Sequence, residues 1–318
     1  MSNKKKVVVL GGGNGSAAVL VALKQNIEKY DVTAVIAMSD SGGSSGKLRK
    51  EFGVMPPGDI LRAVLALSKY DYRILKKIFH TNRFSMSGKL DKHNLGNIFL
   101  TLATQYSGDF LKTVQALSES VEALGQVLPN TMHPNDLVAK LNNGKKIKTE
   151  AAIDEPTYDR KLKIVEVFLE PKVKAYSESV EAIKRADYII FSPGSLYTSL
   201  IAALLPEGIR AAIGKSKAKL IFAVGNAFHP QGETGPEDVK GAVEALQKYL
   251  PRKLDVVLHN NHQFTVLEKK KYQEKKWGVL KNNSRDIKDI KLFSFDYERT
   301  GGGLCSIKLG KMFKKILI

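Results

Sequence analysis

Between Ala37 and Arg62 the sequence reads AMSDSGGSSGKLRKEFGVMPPGDILR, with Asp40 near one end and Asp59 near the other. Its glycines, Ser44 and Ser45 suit a backbone nest for an anion, and Lys47 and Arg49 add positive charge. Two carboxylates at this spacing could instead share a hydrated magnesium ion on a phosphate. The segment is not a Walker loop, because Ser41 stands where the first glycine is required and Leu48 where a magnesium-binding hydroxyl is required. Asp59, just ahead of an apolar run, also fits a helix N-cap, so capping and ligand contact both stay open.

Three other segments carry similar chemistry. GGGNG, Gly11, Gly12, Gly13, Asn14 and Gly15, continues into a G-x-G-x-x-A pattern ending at Ala18. Such a loop brings backbone N–H groups close to a phosphate at a helix start. On its own this loose fingerprint also admits a nicotinamide oxidoreductase, or a tight turn with no ligand. KHNLGN supplies His93, Asn94 and Asn97 ahead of a helix, and SPGSLYTS supplies Gly194, Ser195, Thr198 and Ser199. The latter lacks G-x-S-x-G, which argues against a serine hydrolase. HNNH, residues 259 to 262, has no H-E-x-x-H pattern or cysteine partner and reads as a polar loop.

The elements that must position these groups follow an α/β rhythm. KKVVVL feeds the glycines, apolar residues at helical spacing follow, and VTAVIAM supplies a second apolar strand, a βαβ opening. Helical periodicity dominates from Asp59 to about Ala123, with DILRAVLALSKYDYRILKKIF as one long run. Residues 126–171 read as a small β-rich insertion with NNGKKIK as a hairpin-like turn. The rhythm then resumes through YIIF, LIFAV and LDVVL. In a parallel sheet all strands end on one edge, so the loops GGGNGS, SDSGGSSG, SPGSLYTS and GNAFHPQGET, the last with Asn226, are expected to build one composite site. A single domain over residues 1–318 with an embedded insertion is the simplest organisation.

The chain has 318 residues, 43% hydrophobic content and a formal charge of +18. One cysteine excludes an internal disulfide framework and, with no apolar run long enough to span a bilayer, leads to the expectation of a cytoplasmic protein without membrane insertion. The lysines are scattered with few interleaved aromatics, which argues against a specific nucleic-acid partner and for a basic surface that attracts anionic small molecules.

GGGNG, SDSGGSSGKLR, PPGDILR, HNLGN, VLPNT, SPGSLYTSL and QGET, in this order, resemble the bacterial gluconeogenesis factor family, YvcK-like proteins, related to the CofD-like 2-phospho-L-lactate transferases. The resemblance implies a Rossmann-like three-layer fold with a mainly parallel sheet. It also implies a UDP-sugar ligand, notably UDP-N-acetylglucosamine, and a role in growth on gluconeogenic carbon sources and in cell-shape or wall-precursor control. Under it, Gly11 to Gly15 and Ser195 to Ser199 hold the diphosphate and Asp40, Ser44 and Ser45 line the pocket. Asn94, Asn97 and Asn226 contact base or sugar, and Tyr272 matches a ligand-contacting tyrosine. The transferase branch implies the alternative: a Mg²⁺-dependent transfer of a phospho-lactyl or enolpyruvyl-phosphate group from a guanosine-diphosphate donor to a deazaflavin, with Asp40 and Asp59 as metal ligands. Ser39 stands where one of a pair of acids is common, AFHPQGET replaces the usual run before GET, and the last third lacks the usual His-Asp-Pro run. The insertion around 126–171 and the basic C-terminal tail could serve assembly into a homo-oligomer.

Overall fold

A computed structural model describes residues 4–85 and 88–318. Its strands, in chain order, are β1 (Lys5–Gly11), β2 (Tyr30–Ile36), β3 (Gln126–Pro129), β4 (Asp136–Leu141), β5 (Lys146–Lys148), β6 (Ile164–Glu170), β7 (Tyr188–Phe191), β8 (Lys219–Ala223), β9 (Ala227–Phe228), β10 (Val256–Asn260), β11 (Gly278–Val279) and β12 (Lys291–Phe295). Seven of them form one sheet in the order β12-β10-β8-β7-β1-β2-β3. Every pairing in it is parallel. The order runs outward in both directions from β1, so the chain reverses its direction of winding between β1 and β7.

Side-chain alternation divides the core between the two faces of the sheet. Val7 and Val9 of β1 join one cluster with Val32 and Ala34 of β2, while Val8 and Leu10 join the other with Val35. Both clusters are closed to water, which explains why these strands are apolar throughout rather than alternating. Helices α1 (Gly13–Lys24) and α3 (Gly58–Leu67) and the C-terminal helix Ser306–Ile316 cover the first face. Helices Ser177–Arg185, Ile209–Lys215 and Val239–Gln247 cover the second.

The 126–171 stretch is divided between two sheets. Gln126–Pro129 extends the parallel sheet beyond β2, whereas β5-β4-β6 form a separate antiparallel sheet with the hairpin expected around NNGKKIK. Leu137, Ala139, Leu141, Val167 and Leu169 pack this small sheet onto the second face of the core. The long run from Asp59 to Phe79 also breaks, after Leu67. Ser68 leaves the helix, its Oγ donates to the Val121 carbonyl, and a new helix starts at Tyr72 with Asp71 as its cap. No helix among the described residues is long and apolar enough to cross a membrane.

Candidate functional site

The glycine loop after β1 and the Ser192–Ser199 loop after β7 meet at the reversal of winding. At Gly15 an added Cβ would lie 1.7 Å from the Pro193 carbonyl oxygen. The two loops touch backbone to backbone, and a side chain cannot fit between them. Ser16 and Ser192 join them further by a hydroxyl pair at 2.7 Å.

Two adjoining cavities open on this edge, sharing Asn14, Gly15, Asp154, Gly194 and Ser195. The smaller, about 490 Å³, collects the N-termini of α1, α2 (Gly43–Phe52) and α3. In none of these three helices does the N-cap residue's own side chain cap the first turn. The Gly13 N–H is taken by Asp59, and the remaining first-turn N–H groups, with the helix dipoles, favour an anion in this cavity. Arg62 and Arg83 add charge to the wall. The helix Leu95–Ser107 starts here too, capped by Asn94, whose Oδ1 accepts from the Asn97 N–H at 2.8 Å. Asn94 Nδ2, Asn97 Oδ1 and Arg62 Nε, all on residues of this wall, are buried without protein partners, polar groups open to a ligand.

Asp59 does not cap its helix. Its Oδ2 accepts from the Gly13 N–H at 2.8 Å and its Oδ1 from Arg62 at 3.0 Å, so it ties α3 to the glycine loop while lining the cavity. His80 sits 2.8 Å from the same guanidinium, and burial together with Arg62 pushes its pKa down to about 3, leaving a neutral acceptor. Asp40 accepts from the Gly42 N–H at 2.9 Å. Burial, then the Asp59 carboxylate, pushes Asp40 up to about 6. Glu150, from the helix Glu150–Asp154 between β5 and β6, accepts from the Ser41 N–H at 3.2 Å. Burial and Asp40 push Glu150 up to about 8.

The larger cavity, about 1170 Å³, has Phe222, Val224, Phe228, Trp277 and Leu280 as apolar lining and Lys76, Arg73, Arg160 and Arg299 as cations. That combination suits a flat ring with anionic groups attached. Asn226 lines it, and its Nδ2 donates to Glu298. Glu298 also accepts from Tyr272 Oη at 2.7 Å, Asn260 Nδ2 at 3.2 Å and the Gly303 N–H at 3.0 Å. Tyr272 is thus fully buried behind the wall and acts on it through Glu298.

The sequence-derived residues fall into two groups. Gly13, Asn14, Gly15, Asp40, Ser44, Ser45, Asp59, Asn94, Asn97, Gly194, Ser195, Thr198, Ser199 and Asn226 line one or both cavities. Gly11, Gly12, His93 and Tyr272 are not part of either lining, and His93 instead bonds Ser44 Oγ at 2.9 Å. Glu150, Asp154, Arg62 and Arg83 belong to the site but were not singled out in the sequence. Glu233, inside QGET, was missed in the same way. It accepts from the Tyr197 and Thr198 N–H groups at 3.0 and 3.1 Å and from Leu196, and burial pushes it up to about 7. Its carboxylate takes the donors at the start of this segment, a wide helical turn over Leu196–Leu200. No cluster of three or more His, Cys, Asp or Glu side chains shaped for a metal occurs among the described residues, so any cation here would rest on Asp40, Asp59, water and a ligand phosphate.

The parallel strand order, reversing its winding between β1 and β7, defines a Rossmann-like α/β protein. The family described as 2-phospho-L-lactate transferase CofD matches residues 7–294, and the chain belongs to it. A relative from Thermotoga maritima is 41% identical over 256 residues, covering 80% of this chain and 78% of its own. A Bacillus subtilis protein described as a gluconeogenesis factor is 34% identical over 275 residues, covering 86% and 84%. Some relatives are longer, the match spanning only 50% of one from Nostoc. A crystal structure of a Bacillus halodurans protein, described as a member of the UPF0052 family, superposes with TM-score 0.89 at 30% identity over 99% of this chain and 100% of that one.

Proposed function

We propose that the protein is a nucleotide-sugar-binding regulatory protein of the gluconeogenesis-factor type, with UDP-N-acetylglucosamine as the representative ligand. On this reading it serves growth on gluconeogenic carbon sources and the control of cell shape or wall precursors. The observation that carries the reading is the pairing of the cavities. Helix N-termini sit beside a larger cavity with aromatic and cationic lining, a division that matches diphosphate on one side and base or sugar on the other. In this assignment the diphosphate lies between Gly13–Gly15 and Gly194–Ser199, with Asp40, Ser44 and Ser45 near it. Asn94, Asn97 and Asn226 then offer hydrogen bonds to base or sugar. Gly13→Val, which puts a β-branched side chain at φ +66°, and Asp40→Ala are the test. Each is expected to lower affinity for UDP-N-acetylglucosamine at least about tenfold, roughly 1.4 kcal/mol, while circular dichroism stays native. Unchanged affinity in folded variants refutes the assignment.

The carboxylates Asp40 and Asp59 in the same cavity, together with family membership, favour a second reading: a magnesium-dependent transferase using a guanosine-diphosphate donor. Magnesium would be held by these two acids and would neutralise phosphate charge. Asp40→Asn and Asp59→Asn then abolish turnover of the phosphorylated three-carbon donor without unfolding the protein. A wild-type protein with no such turnover removes this reading.

A further inference from the structure

We infer that the helix Val266–Glu274 docks on anionic lipid at a membrane surface. The run TVLEKKKYQEKK, residues 265–276, sets five lysines against two acids beside an apolar pair. Lysine clusters of this kind on a helix are what anionic headgroups attract. The helix stands clear of the body: Thr265 and Glu268 close a capping box at its start, and Tyr272 is its one buried residue. At about 100° per residue, Val266, Leu267, Lys270, Lys271 and Glu274 fall on the half opposite Tyr272. Val266 is 87% and Leu267 62% exposed, where a surface helix ordinarily turns polar groups outward. Lys269, Lys270, Lys271 and Lys276 make no ion pair among the described residues, whereas Glu268 is turned aside to Thr265 and His262.

A bilayer is the occupant that this chemistry selects. No residue from 265 to 276 lines either cavity, so the helix offers a ridge and not a groove, a shape that meets a flat surface. Val266 and Leu267 enter the acyl boundary there, and the lysine stems lie along it with their ammonium groups among the lipid phosphates. A nucleic acid would answer the lysines but leave the aliphatic pair in water. The net charge of +18 draws the whole chain toward an anionic surface. The helix is also tied to the larger cavity. Tyr272 donates to Glu298, the partner of Asn226. Trp277, three residues past the helix, packs edge-on against Tyr272 with 5.7 Å between ring centres and lines that cavity. Docking therefore sets the larger cavity beside the membrane, and it needs no spanning helix.

The test is flotation of the full chain with vesicles of phosphatidylglycerol in phosphatidylcholine, and with phosphatidylcholine alone. The wild type is expected to float with the anionic vesicles and to be released as salt rises from about 0.01 M to about 0.1 M. Lys270→Gln/Lys271→Gln is expected to weaken binding at least about tenfold, since each lysine near an anionic surface contributes about fivefold. Val266→Ser/Leu267→Ser is expected to weaken it at unchanged charge, and Glu274→Gln, which removes the acid from the same face, to tighten it. All these side chains are exposed, so circular dichroism is expected to stay native. An environment-sensitive naphthalene dye on Leu267→Cys in a Cys305→Ser background is expected to shift its emission to the blue on the anionic vesicles, which reports the docking face directly. A wild type that stays in the soluble fraction, equal flotation with neutral vesicles, flotation that survives both double variants, an unshifted dye, or binding of random-sequence duplex DNA in place of vesicles would each overturn the inference.

Discussion

Asp40 and Glu150 are held away from water beside each other and beside Asp59, so their proton affinities rise together. The sign of the consequence is set by which state holds more protons. Glu150 ionises near 4.5 when unfolded and at about 8 when folded, so across that window the folded protein is the more protonated state. Stability is then fully present below the lower value and is lost as pH rises toward the upper one. We predict that melting temperature falls between about pH 5 and pH 8, and that Glu150→Gln flattens the fall. A second prediction concerns Gly15, where the Pro193 carbonyl leaves no room for a methyl group. Gly15→Ala is expected to unfold the protein or lower its melting temperature sharply, whereas Gly144→Ala, with open space but φ +85°, costs only about 1 kcal/mol. At this scale Asp40, Ser44 and Ser45 were legible because one loop holds them next to the glycines. Glu150 was not: it lies 110 residues from Asp40, with β4 and β5 in between, and only tertiary packing brings it to Ser41.

At the scale of elements, the strand-to-helix openings were legible because apolar runs followed by glycine leave few alternatives to a parallel sheet. The breaks were harder to read. The helix beginning at Gly58 ends at Leu67 because Ser68 finds a partner in Val121, a contact invisible to local periodicity. VLPNT has a structural explanation rather than a ligand: Asn130 Oδ1 accepts from the Met38 N–H at 3.1 Å and its Nδ2 donates to the Ala202 carbonyl at 3.1 Å, locking β2 and β3 to the layer beneath. The helix Leu95–Ser107 gives a measurable contrast. Leu100→Ala should cost about 2–5 kcal/mol by denaturant titration, since Leu100 is fully buried. Asn94→Ala should cost only about 1 kcal/mol as a lost cap, yet reduce ligand affinity if its free amide group faces the ligand.

Over the whole molecule the charge is +18, and several cations, Lys76, Arg73, Arg160 and Arg299 among them, converge on the larger cavity. Association with an anionic nucleotide should therefore slow as salt rises, the screening length shrinking from about 30 Å at 0.01 M to about 10 Å at 0.1 M. Stopped-flow measurements that show no salt dependence would separate the charge from recognition. The central claim, that the paired cavities hold a UDP-sugar, is tested most directly by calorimetric titration of the wild type with UDP-N-acetylglucosamine, UDP-glucose, GDP and NAD, with and without magnesium. Selective, metal-independent binding of the UDP-sugar at one site per chain is the predicted result. Magnesium-dependent binding of GDP alone would contradict it.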